Sequence, residues 1–251
     1  VPLAQLLEPR SRSFVELSAL LSSSACAELA LEAANAINGG FKTLKLKVGA
    51  SSLDKDVERA SIVRQTVGRE PALRLDANGA WSFAQAERAL RALLPVEPAL
   101  CEQPVAPGDV EGLRKLRCLE LCQIAADEAL AIRGGAERVL DAAEGPAADV
   151  LALKPMVLGG LLPALALARR ATEVGVRSYV SSSLEGEVAL AAAAHLAAAL
   201  PEGSLPAGLG VGHLLAGKFA SWTCDVRGGR IALPPKPGLG LEASGVARSD
   251  N

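Results

Sequence analysis

The chain has 251 residues, half of them apolar and 22% charged, with a formal net charge of −2. That balance supports one large packed domain or two small ones and excludes a disordered chain. Scarce aromatics (3%) and the lack of a long basic stretch exclude a nucleic-acid platform, and no apolar run is free of charge, Gly and Pro for long enough to span a membrane.

In chain order, residues 1–12 read as a lead-in carrying Pro2 and Pro9. Residues 14–20 read as a strand and 25–37 as a helix that Asn38-Gly39-Gly40 stops. The stretch 43–48 alternates as a strand should, which puts Lys45 and Lys47 on one face. A helix over 53–67 follows, with Asp54, Asp56 and Glu58 near its positive end. Strand 72–75 runs into Asp76-Ala77-Asn78-Gly79, and helix 83–94 leads to a short strand 98–101 ending at Glu102-Gln103-Pro104. Helix 110–116 and strand 121–125 end at Asp127-Glu128, and helix 135–143 and strand 150–153 end at Lys154-Pro155. Helix 161–174, closed by Gly175, precedes strand 176–180 and Ser181-Ser182-Ser183. Helix 187–200 and a weak strand at 205–209 follow, and the Gly- and Pro-rich tail 222–242 contains a hairpin pattern at 226–231. The five cysteines (Cys26, Cys101, Cys118, Cys122, Cys224) are odd in number and lack paired spacing. They read as free thiols of a reducing, cytoplasmic compartment, with Cys118 and Cys122 as buried packing residues. No signal-peptide pattern is visible.

Strand and helix alternate throughout, which implies parallel strands with helical crossovers. Lys47, Asp76, Glu102, Asp127, Lys154, Ser182 and Leu209 each follow a strand, at intervals of 25 to 29 residues. That period fits a (β/α)8-type barrel with its site at the C-terminal ends of the strands. The competing architecture is an open doubly wound sheet, but no Gly-rich phosphate turn opens a helix.

Asp76, Glu102 and Asp127 leave three consecutive strands, so a barrel brings them together. Three carboxylates repel unless a cation joins them, and an all-oxygen set favours Mg²⁺ over Zn²⁺, with Mn²⁺ as the alternative. Taken singly, such acids also read as helix caps. Glu128 is expected to point elsewhere. Lys45 and Lys47 repel each other, so at least one pKa is expected to fall. Lys47 and Lys154 come from strands on opposite sides of the mouth, an arrangement for removing a proton α to a metal-held carboxylate. Salt bridges to the acids are the competing reading for the lysines. Hydroxyls at Ser181 and Ser182 suit a substrate carboxylate or an ordinary helix cap, and glycine at Gly208 allows close approach of a ligand.

In this order, Lys45-x-Lys47, Asp76-Ala77-Asn78, Glu102-Gln103-Pro104, Asp127-Glu128 and Lys154-Pro155 resemble the signature of the enolase superfamily, muconate-lactonising subgroup. This superfamily uses a Lys or His base with Mg²⁺. Ser181-Ser182-Ser183-Leu184-Glu185 is most similar to the o-succinylbenzoate synthase family. The resemblance implies an α/β, TIM-like (β/α)7β barrel over 14–221. It implies a lead-in over 1–13 from a capping domain that this chain lacks, and a tail over 222–251 that packs on such a domain. The implied reaction is Mg²⁺-dependent dehydration of 2-succinyl-6-hydroxy-2,4-cyclohexadiene-1-carboxylate to o-succinylbenzoate, in menaquinone biosynthesis. By similarity Lys47 is the base, Lys154 faces it, and Asp76, Glu102 and Asp127 hold the metal. Lys45, Ser181, Ser182 and Gly208 bind substrate. The alternatives are racemisation of N-succinylamino acids at the same site, or an inactive barrel. The expected partner is a small carboxylate, with no nucleic acid and no membrane, and the oligomeric state stays open.

Overall fold

A computed structural model describes residues 1–141, 143–210 and 226–241. Seven parallel strands form one sheet in chain order: β2 (Ser18–Leu21), β3 (Thr43–Lys47), β4 (Ala72–Asp76), β5 (Pro98–Glu102), β6 (Gln123–Ala126), β7 (Val150–Leu153) and β8 (Arg177–Val180). Residues 205–208 close the sheet into a ring. Gly208 N–H donates to Val180 O at 2.9 Å and Ser182 N–H donates to Gly208 O at 3.1 Å. On the other side, Ala207 N–H donates to Glu16 O at 2.7 Å and Ser18 N–H donates to Ala207 O at 2.9 Å. The strand expected at 205–209 is therefore only a pair of bridges, Leu17 with Ala207 and Ser181 with Gly208. Pro206 offers no N–H and cannot continue a ladder.

The crossovers are helical because most of their sequences carry one apolar face, and two of them carry a side-chain cap. They are α2 (Cys26–Asn38), α3 (Leu53–Val67), α4 (Phe83–Leu93), α5 (Val110–Cys118), α6 (Glu128–Ala131), α7 (Gly135–Val139), α8 (Leu161–Glu173) and α9 (Glu187–Ala199). Ser82 and Gln85 form a reciprocal capping box at the start of α4, and Asp109 accepts from Gly112 N–H at 2.9 Å at the start of α5. Pro95 cuts α4 short, and a single 3₁₀ turn (Leu94–Val96) finishes the segment. The helix expected at 135–143 stops at Val139. A second short helix, α6, precedes it, because Gly134 turns the chain with φ +70° and Gly135 packs directly on the Ala129 carbonyl. That break places Asp127 at the start of α6.

The run 14–20 is two strands rather than one. β1 (Phe14–Glu16) pairs antiparallel with β10 (Arg230–Ala232), which pairs with β9 (Val226–Arg227), and only β2 enters the barrel. The hairpin expected at 226–231 is present, and it rests near the strand starts, where Gly40 meets Gly228 and Gly229. The lead-in holds a helix, α1 (Leu3–Leu7), which packs on α9. His195 of α9 accepts from Ala4 N–H at 3.1 Å. Residues 211–221 of the expected barrel span, and 222–225 and 242–251 of the expected tail, lie outside the described residues.

Strand alternation divides the side chains between two environments. Leu44, Leu46, Leu73, Leu75, Cys101, Ile124, Leu151 and Leu153 face the helices and form the main core. The barrel interior holds a much smaller apolar cluster, Leu100, Ala125, Val150, Ala152 and Tyr179, because its other positions carry charge. Cys26, Cys101, Cys118 and Cys122 are free thiols, but Cys118 is exposed rather than packed, since α5 ends there. Cys224 lies outside the described residues. Among the described residues no helix is long and apolar enough to cross a membrane.

A Cβ at Gly40 would lie 2.6 Å from Gly228 Cα with φ at +84°, whereas Gly203 has φ +82° and open space around it. Gly203→Ala is expected to cost about 1 kcal/mol from backbone strain alone, and Gly40→Ala at least ~2 kcal/mol because the hairpin must also move. Denaturant unfolding of both variants measures the difference.

Candidate active site

The parallel register sets Lys47 opposite Asp76 and Asp76 opposite Glu102, so these strand ends are level. Lys45, two residues before Lys47 on the same face, puts its buried Nζ between two acids. It lies 3.0 Å from Asp76 Oδ2, and 3.2 and 3.1 Å from the two oxygens of Glu102. Lys47 Nζ donates to Asp76 Oδ2 at 2.8 Å and to Asn78 Oδ1 at 2.5 Å. Lys154 follows β7, four strands from β3 in either direction round the closed ring, and pairs with Asp127. Lys45, Lys47, Asp76, Lys154, Ser181, Ser182 and Gly208 line one cavity of about 170 Å³. Glu102 and Asp127 are buried and do not line it. Ser182 Oγ is engaged locally, accepting from Leu184 N–H at 3.0 Å and donating to Glu185, so as placed it caps its own turn. Gly208 packs on Ser181, where a Cβ would approach the Ser181 hydroxyl to 2.9 Å.

Repulsion between Lys45 and Lys47 was expected to lower the pKa of at least one of them; at Lys45 the pKa is raised. Burial alone would lower it, but the charges and hydrogen bonds of Glu102 and Asp76 more than reverse that. Lys154 is likewise raised: burial opposes its charge, and Asp127, followed by Glu128 and Glu102, favours it. Burial pushes Asp76 up, but Lys45 and Lys47 hold it below the usual carboxylate range. Asp127 is pushed up to about 7 by burial and then by the charge of Glu102, with Lys154 opposing and Glu128 adding to the rise.

Several supporting residues were not singled out from sequence. Buried Gln103 sits at φ +40° and turns its amide back on α6, accepting from Asp127 N–H and Ala129 N–H, both at 3.0 Å. Asn78 connects Lys47 to Glu128, donating to Glu128 Oε1 at 3.0 Å, while the other Glu128 oxygen is buried without a hydrogen-bond partner. Arg59 donates to the Lys47 carbonyl at 2.9 Å, and Asp56 accepts from Gly49 N–H at 2.7 Å, so α3 braces the end of β3. Tyr179 donates to Glu102 from inside the barrel, and Arg74 stacks on its ring. The sequence did hold a signal for Arg74, which stands two residues before Asp76 and so shares its face.

As placed, no group of three His, Cys, Asp or Glu side chains among the described residues is gathered to hold a metal ion. Ammonium groups occupy the carboxylates instead. The donor chemistry nevertheless fits a hard divalent cation. All three acids offer oxygen, are buried and end adjacent strands, and Asp127 keeps a raised pKa for want of further positive charge. Asp76 and Asp127 would have to turn from their lysines to share such an ion.

Fold and site together define a (β/α) barrel whose mouth sets carboxylates between lysines. The chain belongs to the enolase C-terminal domain-like family, whose profile matches residues 28–246. It is 32% identical over 257 residues to L-Ala-D/L-Glu epimerase of Bacillus subtilis (strain 168), covering 100% of this chain and 68% of that protein. It is 41% identical over 180 residues to o-succinylbenzoate synthase of Thermobifida fusca (strain YX), covering 71% of this chain and 54% of that protein. Among solved structures, muconate lactonizing enzyme from Pseudomonas putida superposes with a TM-score of 0.89 at 29% identity, covering 96% of this chain and 66% of that one. The chain spans between about half and two thirds of the length of these relatives. The resemblance to the enolase superfamily, muconate-lactonising subgroup, is borne out.

The raised Asp127 pKa fixes the sign of a pH effect. The metal-free folded chain keeps a proton that the unfolded chain has lost, from the ordinary aspartate range up to about 7. Stability of the metal-free chain is therefore expected to fall as pH rises through that window, by at most ~1.4 kcal/mol per pH unit. Asp127→Asn is expected to flatten the slope, read by urea unfolding at several pH values in chelator.

Proposed function

We propose that this chain supplies the catalytic barrel of a Mg²⁺-dependent enzyme that removes the proton α to a carboxylate. Within that class we assign it to o-succinylbenzoate synthase chemistry. The substrate is 2-succinyl-6-hydroxy-2,4-cyclohexadiene-1-carboxylate and the products are o-succinylbenzoate and water. The observation that carries this reading is the placement of Lys47 and Lys154 on opposite walls of one cavity that also holds Asp76. The o-succinylbenzoate synthase relative supports the finer assignment.

Asp76, Glu102 and Asp127 would hold the ion, which when bound spreads the negative charge that develops on the substrate carboxylate. The remaining work belongs to the side chains. Lys47 leaves Asp76 and Asn78 and, as the free amine, takes the α proton. The C–H bond breaks, an N–H bond forms, and the electron pair moves toward the carboxylate as an enediolate. Lys154, as the ammonium, stabilises that charge from the other face. In a syn elimination the hydroxyl leaves from the face that lost the proton. The Lys47 ammonium is therefore placed to return the proton to it, so that water departs as the ring double bond forms. Lys45 helps hold the carboxylate, and Ser181, Ser182 and Gly208 border the succinyl end.

The same two lysines favour a second reading. With an amine on each wall, a proton taken from one face of a carbon can be replaced from the other, which racemises an N-succinylamino acid. The epimerase relative supports that class of chemistry.

Assay of both substrates in D₂O separates the two. Formation of o-succinylbenzoate, with no exchange of the α proton of N-succinylamino acids, is expected. Exchange into both enantiomers without dehydration would replace the first reading by the second. Lys47→Ala and Lys154→Ala are each expected to lower kcat by about 10²- to 10⁴-fold, and chelator is expected to abolish turnover until Mg²⁺ is restored. No turnover of either substrate, with Mg²⁺ bound, would favour an inactive barrel.

A further inference from the structure

The barrel interior beneath the mouth contains a buried strut that the proposed chemistry does not use. Tyr179 rises from β8 and donates its hydroxyl to Glu102 Oε2 on β5. Arg74, from β4, lies with its guanidinium carbon 4.5 Å from the Tyr179 ring centroid and donates to Pro206 O at 2.9 Å. Both side chains are almost wholly withdrawn from solvent. Beneath an active mouth such interiors are usually filled with branched aliphatic residues. Here, among the described residues, the apolar side chains clustered with Tyr179 are Leu100, Ala125, Val150, Ala152 and Leu205, two of them no more than a methyl group.

We propose that Tyr179 is a positioning residue for the cation site: its hydroxyl fixes the rotamer of Glu102, and Arg74 fixes Tyr179. The inference rests on the reading of Asp76, Glu102 and Asp127 as metal ligands. The two oxygens of Glu102 are not equivalent. Oε2 takes both the Tyr179 hydroxyl and Lys45 Nζ at 3.1 Å, whereas Oε1 takes only Lys45 Nζ at 3.2 Å. Each carboxylate oxygen has two lone-pair directions. Tyr179 and Lys45 use both on Oε2, whereas Lys45 uses one on Oε1 and leaves the other to face an ion. Without the phenol, Lys45 alone would hold Glu102, and Lys45 is shared with Asp76 at 3.0 Å. Arg74 completes the strut: its planar group covers the ring, and its bond to Pro206 ties the ring to the segment that closes the barrel.

Hydrogen-bond partners of metal ligands typically tune affinity by 10- to 100-fold. Tyr179→Phe keeps the ring and removes only the hydroxyl. Val150→Ala loosens the same interior cluster and removes no hydrogen-bonding group. Calorimetric titration of the full chain with MgCl₂, beside a thermal melt in chelator, reads affinity and packing separately. Tyr179→Phe is expected to weaken Mg²⁺ binding by about 10- to 100-fold. Val150→Ala is expected to lower the melting temperature and leave the Mg²⁺ dissociation constant within about twofold, as a loss of packing that takes no hydrogen bond from a ligand should. Arg74→Lys, which keeps the charge but not the planar stack, is expected to fall between the parent and Tyr179→Phe, and it carries the test if Tyr179→Phe does not fold. Equal Mg²⁺ affinity in the parent and these strut variants would overturn the inference while leaving the metal site intact. Equal weakening by Val150→Ala would also overturn it, because packing alone would then account for the effect. A parent chain that binds no Mg²⁺ would overturn the metal-site reading itself, and the inference with it.

Discussion

The ammonium of Lys45, held between the carboxylates of Asp76 and Glu102, is the contact that the rest of the mouth depends on. Buried charges are tolerated only when compensated at close range, since removing one partner leaves the other stranded in a medium of low polarity. The level strand ends of β3, β4 and β5 make that compensation a property of the backbone register. A shift of one residue in any of these strands would turn the charged side chains outward, onto the helix-facing core. Register, charge balance and core composition therefore constrain one another.

The two layers of the barrel have different tasks. Stability comes mainly from the leucine- and alanine-rich layer between sheet and helices, where burial of apolar surface is worth roughly 25 cal/mol per Å². The interior contributes little apolar area and instead carries Lys45, Arg74, Asp76 and Glu102. The scarcity of aromatic residues suits the outer layer, which packs small and branched side chains. It also gives the single tyrosine of the chain, Tyr179, a position that no other side chain fills.

Much of the fold was legible because period-2 and period-3.6 patterns are set by local geometry. The helix over 53–67 and the strand over 150–153 lie where the pattern put them. The failures come from contacts that a local pattern does not carry. The run 14–20 alternates like one strand, but its two halves pair with partners more than 180 residues apart in position, Ala232 and Thr43 marking the two ends of that choice. The helix expected over 135–143 ends at Val139, and a separate short helix, α6, occupies 128–131, set apart by Gly134 and by the close approach of Gly135 to Ala129. At the site, the residue types and the 25- to 29-residue spacing put Lys47, Asp76 and Lys154 on one cavity. The direction of the lysine pKa shifts was not legible. Sequence displays the neighbouring lysine, but only the fold displays the carboxylates set between the amines. Gln103 was hidden for a similar reason: its left-handed backbone aims the amide at the helix start one strand further on, 24 to 26 residues along the chain.

The ring is sealed by residues 205–208, a segment too short and too proline-bearing to form a ladder, yet bonded to both of its neighbours. Without it, β2 and β8 would each present a row of unsatisfied backbone groups to solvent, and such rows recruit strands from other molecules. A nascent or truncated chain that ends before this seal holds seven strands of the sheet and all the mouth's lysines and acids. It would nonetheless be a sticky open sheet, so synthesis must pass this late clasp before the barrel is safe from self-association.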